Sequence, residues 1–388
     1  MIKDFTYYVP VKLVFGMGAV ENTGEWVKQY GKRAFIVTTG RYFEESGLLN
    51  RVKAILKKSG VSVVSFSHVT PNPLSTQIDE GAKSAQSENC DVIIGLGGGS
   101  AIDAAKGIAI ALGHKKPIWD FCVSENPAEI TDKTLPIIAI TTTSGTGSEG
   151  TQWAVITNPK TREKPGIGND YTFAKVAIVD PELMVTMPAK VTASTGFDVL
   201  THAIEAYTST IATPITDMYC ETAIRLVGKY LRRAVHDGKD MEARNAMAYA
   251  NTLAGFAIAV GVVTTCHALA HAVGGVANTT THGETLAAMT QHAMRFSMGA
   301  DPEKYSNIGI LLMSQNIRDG FSAEDSVAEV EKLKKDIGLE ESLSEQGVRE
   351  ADLEEIVEGT LRYMKGNLDI DPVRPGKEDL LAILKKSF

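Results

Sequence analysis

Five side chains able to hold a metal recur in the second half of the chain, at spacings that helices would bring together. In STGFDVLTHAIEAY, Asp198 and His202 stand four residues apart, one turn along the same helix face. CHALAHAV sets His267 and His271 at the same interval. His282 follows in THGE, a capping-box pattern with Thr281 as cap and Glu284 three residues on. Singly, each has an ordinary explanation. A lone histidine on an apolar helix is more often a hydrogen-bonded core residue, and an aspartate near a helix start answers the helix dipole. Together they lie among Ala, Leu, Val and Gly, where burying so many polar groups is costly unless something binds them. A divalent cation does so. A carboxylate with neutral imidazoles suits Fe²⁺ or Zn²⁺ and leaves a coordination position for a substrate oxygen.

A second kind of chemistry sits earlier. The apolar run 91–96 leads into Gly97-Gly98-Gly99-Ser100-Ala-Ile-Asp103-Ala-Ala-Lys106. Three glycines let the backbone approach a ligand, and the helix behind them offers free N–H groups and the positive end of its dipole, an arrangement suited to phosphate. Ser100 as N-cap and Asp103 at N3 would make part of this ordinary capping. The pattern is neither GxGxxG nor a Walker loop. A hydroxyl-rich loop, TTTSGTGSE at 141–149, also leaves the end of a strand, which is where open α/β sheets bind ligands. The two loops together suggest a nucleotide.

The elements that must position these groups divide the chain in two. Residues 33–38, 61–69, 91–96, 135–143 and 175–180 read as strands, alternating with helical patterns at 43–59, 75–89 and 101–112. Such alternation predicts a doubly wound parallel sheet covered on both faces. From 188 onward only helix-period segments follow, at 193–210, 214–234, 241–260, 263–275, 284–299, 322–336, 350–364 and 377–386. The expected fold is therefore α/β plus all-α, with domains 1–184 and 185–388.

Composition fits this and narrows the classes. The chain has 388 residues, 44% hydrophobic and 22% charged, with net charge −8 and no basic tract long enough for a nucleic-acid arm. Four cysteines without a CxxC argue against a disulfide framework and a structural zinc site. The start, MIKDFTYYVPVKLVFG, lacks the layout of a signal peptide. The longest apolar stretch, 253–263, falls short of the about 20 residues that span a bilayer. A cytoplasmic protein, with neither a membrane nor a nucleic acid as partner, is expected.

GGGSAIDAAK, TTTSGTGSE, STGFDVLTHAIEAY and CHALAHAVGGVANTTTHGE, in this order, resemble the iron-containing (group III) alcohol dehydrogenases, and the likeness runs over essentially the whole chain. The resemblance implies the dehydroquinate synthase-like fold: an N-terminal dinucleotide-binding domain, a C-terminal helical metal-binding domain and an active site in the cleft between them. It implies metal ligands Asp198, His202, His267 and His282, with His271 not a ligand but close to substrate. Gly97, Gly98, Gly99 and Ser100 would hold the pyrophosphate. Thr141, Thr142 and Thr146 would line the cofactor, Lys164 would approach its ribose, and Asn72 would stand on the same wall. One residue more than the family's usual spacing separates His267 from His282, falling in 278–281.

The implied reaction is reversible hydride transfer between a small primary alcohol or diol and NAD(P), with His271 relaying the proton. NAD-preferring relatives in this family carry an aspartate where strand 34–38 ends, to accept the ribose 2′-hydroxyl. This chain has Thr39, Gly40 and Arg41 there, which points to NADP over NAD. The amino-terminal stretch 5–15 has strand character and in the family often pairs across a two-fold axis, so a homodimer or higher homo-oligomer is expected. Three rival classes remain to be weighed. A lyase or polyol- or glycerol-phosphate enzyme of the same superfamily needs a basic cluster near the metal residues, and none is seen there. A metallopeptidase needs Glu after the first histidine, where Ala268 stands. A non-catalytic nucleotide sensor needs the glycine loop but no metal.

Overall fold

Short runs rich in β-branched residues build the sheet of the computed structural model, which describes residues 4–123, 126–277, 280–314 and 320–388. Its strands are β1 (Lys12–Phe15), β2 (Arg33–Thr39), β3 (Ser62–Val69), β4 (Val92–Gly97), β5 (Ile137–Thr141) and, after a small ribbon of β6 (Ala154–Val155) and β7 (Gly166–Ile167), β8 (Val176–Val179). Six of them form one parallel sheet in the order β1-β8-β5-β4-β2-β3. Helices α1 (Thr23–Val27), α2 (Tyr42–Glu45), α3 (Leu48–Lys58), α4 (Ser75–Ser87) and α5 (Gly99–His114) cover it.

Alternation along each strand feeds two separate cores. Ile36, Ile94 and Ile138 stand in register across β2, β4 and β5 and pack with Leu49, Val52 and Leu56 of α3. Phe35, Ile93 and Ile137 face the other way, onto Ile78 of α4 and Ile102 and Ile108 of α5. Burial on both faces explains why the strands read as continuous apolar runs. The chain steps from β2 out to β3, then returns across β2 to β4 before moving on to β5 and β8. The order therefore reverses between β2 and β4, the place where such sheets bind ligands at their carboxyl ends.

Among the described residues the remaining α-helices lie after Met184: α6 (Ala189–Thr208), α7 (Pro214–His236), α8 (Met241–Gly261), α9 (Thr265–Val276), α10 (His282–Ser297), α11 (Pro302–Leu312), α12 (Ala323–Asp336), α13 (Leu353–Tyr363), α14 (Lys365–Asp369) and α15 (Lys377–Ser387). Thr213 and Asp240 cap α7 and α8 by accepting from Thr216 N and Ala243 N. No single helix among the described residues is long and apolar enough to cross a membrane; α8 and α9, apolar in sum, meet at a 100° bend.

The chain forms two compact units. One holds Val9–Thr143 and Ser148–Met184; the other holds Val185–Phe388 with Ser144–Gly147 and the amino-terminal stretch up to Tyr8. The sequence-based division kept the stretch to Tyr8 and Ser144–Gly147 with the first domain, whereas they group with the helical unit. Other local expectations also shift. The helix read over 43–59 is two, because Gly47 at φ +79° breaks it. The strand read over 5–15 is confined to Lys12–Phe15. Helices α1, α11 and α14 and the β6–β7 ribbon went unread.

Candidate metal centre and dinucleotide loop

Helix α6 carries the first part of the site. Its residues from Thr192 onward are almost wholly buried, so the face bearing Asp198 and His202 points inward with its apolar neighbours Phe197 and Leu200. Helix α9 supplies His267 and His271, and α10 supplies His282 as its first residue. Gly283 allows α10 to come this near: a Cβ there would lie 2.0 Å from the Ser194 carbonyl oxygen of α6. The expected capping box is not formed. The Thr281 hydroxyl donates to the Glu284 carboxylate, and Glu284 also pairs with Lys190 at 2.8 Å, so the helix start carries no side-chain cap.

These elements place Asp198 Oδ1 3.2 Å from His267 Nε2, 3.4 Å from His202 Nδ1 and 3.9 Å from His282 Nε2. Ligand atoms of Asp198, His267 and His282 all lie within 4.8 Å of one another, the spacing that a single cation would span. His202 stands beside this group, its ring stacked on His267 with centroids 4.3 Å apart and its buried Nδ1 without a hydrogen-bond partner among the described residues. His271 presents its ring edge-on to His282, centroids 5.6 Å apart. The extra residue read before His282 falls partly on 278–279, outside the described residues.

The electrostatics fit a cation at this point. Burial pushes His202 down to about 4, with Asp198 opposing the shift and the adjacent His267 adding to it. Burial works against a charge on His267 too, but Glu205 and Asp198 carry it up to about 9. Two buried carboxylates beside stacked imidazoles thus draw positive charge to one spot. Sequence reading assigned no role to Glu205, although it lies on the same helix as Asp198 and His202. Its Oε2 is 2.5 Å from His267 Nδ1.

In the α/β unit, β4 ends at Gly97 with φ +151°, and a Cβ there would lie 2.8 Å from that of Ala101, so only glycine makes the turn. Helix α5 opens at Gly99 with Gly98 as N-cap and no side-chain cap. Ser100 is therefore inside the helix, and its Oγ accepts from Asn72 N at 3.3 Å. Asp103 also caps nothing: it accepts from Ser148 Oγ at 2.5 Å and Val155 N at 3.1 Å. The uncapped N–H groups at Gly99 and Ser100 are available to an anion.

The neighbouring strand ends complete the loop cluster. Thr142 N donates to Gly97 O at 3.0 Å, and Thr141 Oγ1 to Thr143 O at 3.2 Å. On the other side β2 ends at half-buried Thr39, followed by Gly40 at φ +57° and exposed Arg41, whose carbonyl accepts from Glu44 N and Glu45 N and whose guanidinium makes no hydrogen bond or ion pair among the described residues. Thr38 Oγ1, fully buried at this end of β2, has no partner among them either. An orphan hydroxyl and an uncapped helix on adjacent strands fit a dinucleotide. Thr146 belongs to the helical unit, and Lys164 is buried where its charge helps to hold down the Asp103 carboxyl, which burial raises.

The sequence profile for iron-containing alcohol dehydrogenase matches residues 10–181, and that for the C-terminal part of the Fe-containing alcohol dehydrogenase family matches 192–388. The chain belongs to the iron-containing alcohol dehydrogenase family. It is 37% identical to 1,3-propanediol dehydrogenase of Klebsiella pneumoniae over 99% of both chains. It is also 37% identical to an NAD-dependent methanol dehydrogenase of Bacillus methanolicus, over 90% of this chain and 91% of that one. A solved structure of an archaeal halo-thermophilic alcohol dehydrogenase from a Red Sea brine pool superposes with a TM-score of 0.96 at 38% identity, covering both chains fully. The fold read from the sequence is the fold of these enzymes. This iron-containing alcohol dehydrogenase is an oxidoreductase acting on CH–OH groups, and the lyase, peptidase and sensor readings fall away.

Proposed function

We propose that the enzyme transfers a hydride reversibly between a small primary alcohol or diol and NAD(P), with Asp198, His202, His267 and His282 holding Fe²⁺ or Zn²⁺. The observation that carries this reading is Asp198 Oδ1 within 4 Å of nitrogens from three histidines, all on buried helices. A divalent ion held there supplies a Lewis acid that makes an alcohol hydroxyl far easier to deprotonate. Asp198 cancels part of the ion's charge, and the imidazoles, kept neutral when ligating, cancel none of it. The apolar helices exclude competing water. His271, one turn from His267, takes up the released proton and passes it outward. A nicotinamide dinucleotide on the glycine turn supplies the hydride acceptor. Gly97, Gly98, Gly99 and Ser100 hold its pyrophosphate, and Asn72, Thr141, Thr142, Thr146 and Lys164 line its remaining length.

NADP is preferred over NAD. No acid stands at the end of β2, Thr39 and Gly40 offer hydrogen-bonding groups, and the exposed Arg41 guanidinium is placed to pair with a 2′-phosphate. A homodimer is supported by β1, an edge strand whose outer side is unpaired among the described residues. Four buried thiols suit a reducing cytoplasm.

The test is an alcohol and aldehyde panel with both cofactors, on protein stripped of metal and reloaded with Fe²⁺ under anaerobic conditions or with Zn²⁺. Activity should return only with metal, and His271→Ala should lower turnover and alter its pH profile at normal metal content. Full activity in stripped wild-type protein would overturn the reading.

A further inference from the structure

Glu205 lies on α6 seven residues after Asp198 and is fully enclosed, 5% exposed, beside His267 at 1%. Both of its oxygens face donors. Oε1 accepts from Cys266 N at 2.6 Å and from Thr264 Oγ1 at 3.0 Å, at the start of α9. Oε2 stands 2.5 Å from His267 Nδ1 and accepts from His267 N at 3.4 Å. The opposite ring nitrogen, Nε2, is directed at Asp198 Oδ1, 3.2 Å away.

Building on the metal reading above, we propose that Glu205 is a positioning residue. Its carboxylate fixes His267 as the tautomer protonated on Nδ1, so that Nε2 keeps its lone pair for the cation. A metal-ligating histidine needs such a partner on its other nitrogen, since a proton on the wrong side blocks coordination outright. The pair of oxygens makes the carboxylate essential. A glutamine of the same shape has one acceptor and one donor. If its oxygen serves the Cys266 N–H, its NH₂ faces His267 Nδ1, which must then accept, and the imidazole proton moves to Nε2. The simpler role, anchoring the start of α9, rests on the bonds from Thr264 Oγ1, Cys266 N and His267 N, and is separable from the contact with Nδ1 on which the proposal turns.

The experiment compares full-length wild type, Glu205→Gln and Thr264→Val, each stripped of metal. Zn²⁺ affinity is read by competition with a chromophoric chelator, the Co²⁺ absorption spectrum reports ligand geometry, and the metal-free Tm reports the fold. Glu205→Gln should bind Zn²⁺ about 10- to 100-fold more weakly with a changed Co²⁺ spectrum. Thr264→Val, which removes a donor to Oε1 only, should keep wild-type affinity. Should Glu205→Gln not fold, Glu205→Asp, too short to span both sets of donors, must show the weakening instead. Wild-type affinity in the folded Glu205 variant, or equal losses in Thr264→Val, overturns the proposal while leaving the metal reading intact. A wild-type chain that takes up no Zn²⁺ overturns the metal reading and this proposal with it.

Discussion

The glycine turn and the histidine group bind by opposite means. The turn is backbone: Gly97, Gly98 and Gly99 are contiguous, and what they offer is the removal of side chains and the exposure of N–H groups at the start of α5. The histidine group is side chain only, assembled from the buried helices α6, α9 and α10, with Gly283 as the point where α10 meets α6. A backbone site is disturbed mainly by adding volume or by loosening what holds the loop. A side-chain site is destroyed by deleting one member.

The largest effect should therefore follow from deletion. His282→Ala removes a group 3.9 Å from Asp198 Oδ1 and should lower bound divalent metal together with alcohol oxidation by about a thousandfold or more. Metal analysis and steady-state kinetics report these losses, and fluorescence titration should find NADPH affinity within about threefold of wild type. If dinucleotide binding collapses along with the metal, the two regions are not the independent devices contrasted above.

The foundation of the turn is the next test. Lys106, wholly buried on α5, donates from Nζ to the carbonyls of Ser148 and Trp153 at 2.7 Å and of Thr151 at 2.9 Å, near Asp103. Burial lowers it to about 8, with Asp103 and Glu149 opposing the shift. A lysine depressed in the folded state binds fewer protons there than in the unfolded chain between pH 8 and 10.5. Stability should therefore rise with pH across that window and be insensitive to this group below it. The full difference is on the order of 3 kcal/mol. Urea unfolding of wild type against Lys106→Met should show that gain in wild type alone; parallel pH profiles would mean that Lys106 is not held against its charge.

How much of this was legible follows the same division. Contiguous patterns announced themselves: apolar strand runs, the triple glycine, and histidines one helical turn apart. Contacts made across the fold did not. Ser100 and Asp103 look like capping residues until Asn72, Ser148 and Val155 take their oxygens. Thr281 and Glu284 spell a capping box, but Lys190 and the threonine hydroxyl occupy the carboxylate. Glu205 has the helical spacing of a site residue, yet its partners Thr264, Cys266 and His267 come from another helix, and no local pattern names them. Helix α11, though capped by Asp301 with Pro302 at its first position, carries too short an apolar stripe to stand out.

The smallest effect concerns the edge of the backbone site, where side chains begin to matter. Strands β2 and β4 are paired, with Val37 opposite Gly95, so Thr39 and the glycine turn leave the sheet at the same carboxyl edge. A dinucleotide with its pyrophosphate on α5 reaches toward the end of β2 with its adenosine ribose. Thr39→Asp would place a carboxylate there, accepting the 2′-hydroxyl of NADH and repelling the 2′-phosphate of NADPH, while the glycine turn remains as it was. The ratio of kcat/KM for NADPH to that for NADH should fall by about tenfold, the equivalent of about 1.4 kcal/mol. Wild type should favour NADPH, because Arg41 is free to meet the phosphate and no acid opposes it. A wild type that already favours NADH, or a ratio that Thr39→Asp leaves unmoved, would mean that Thr39 and Gly40 merely turn the chain and that discrimination lies elsewhere along the cofactor.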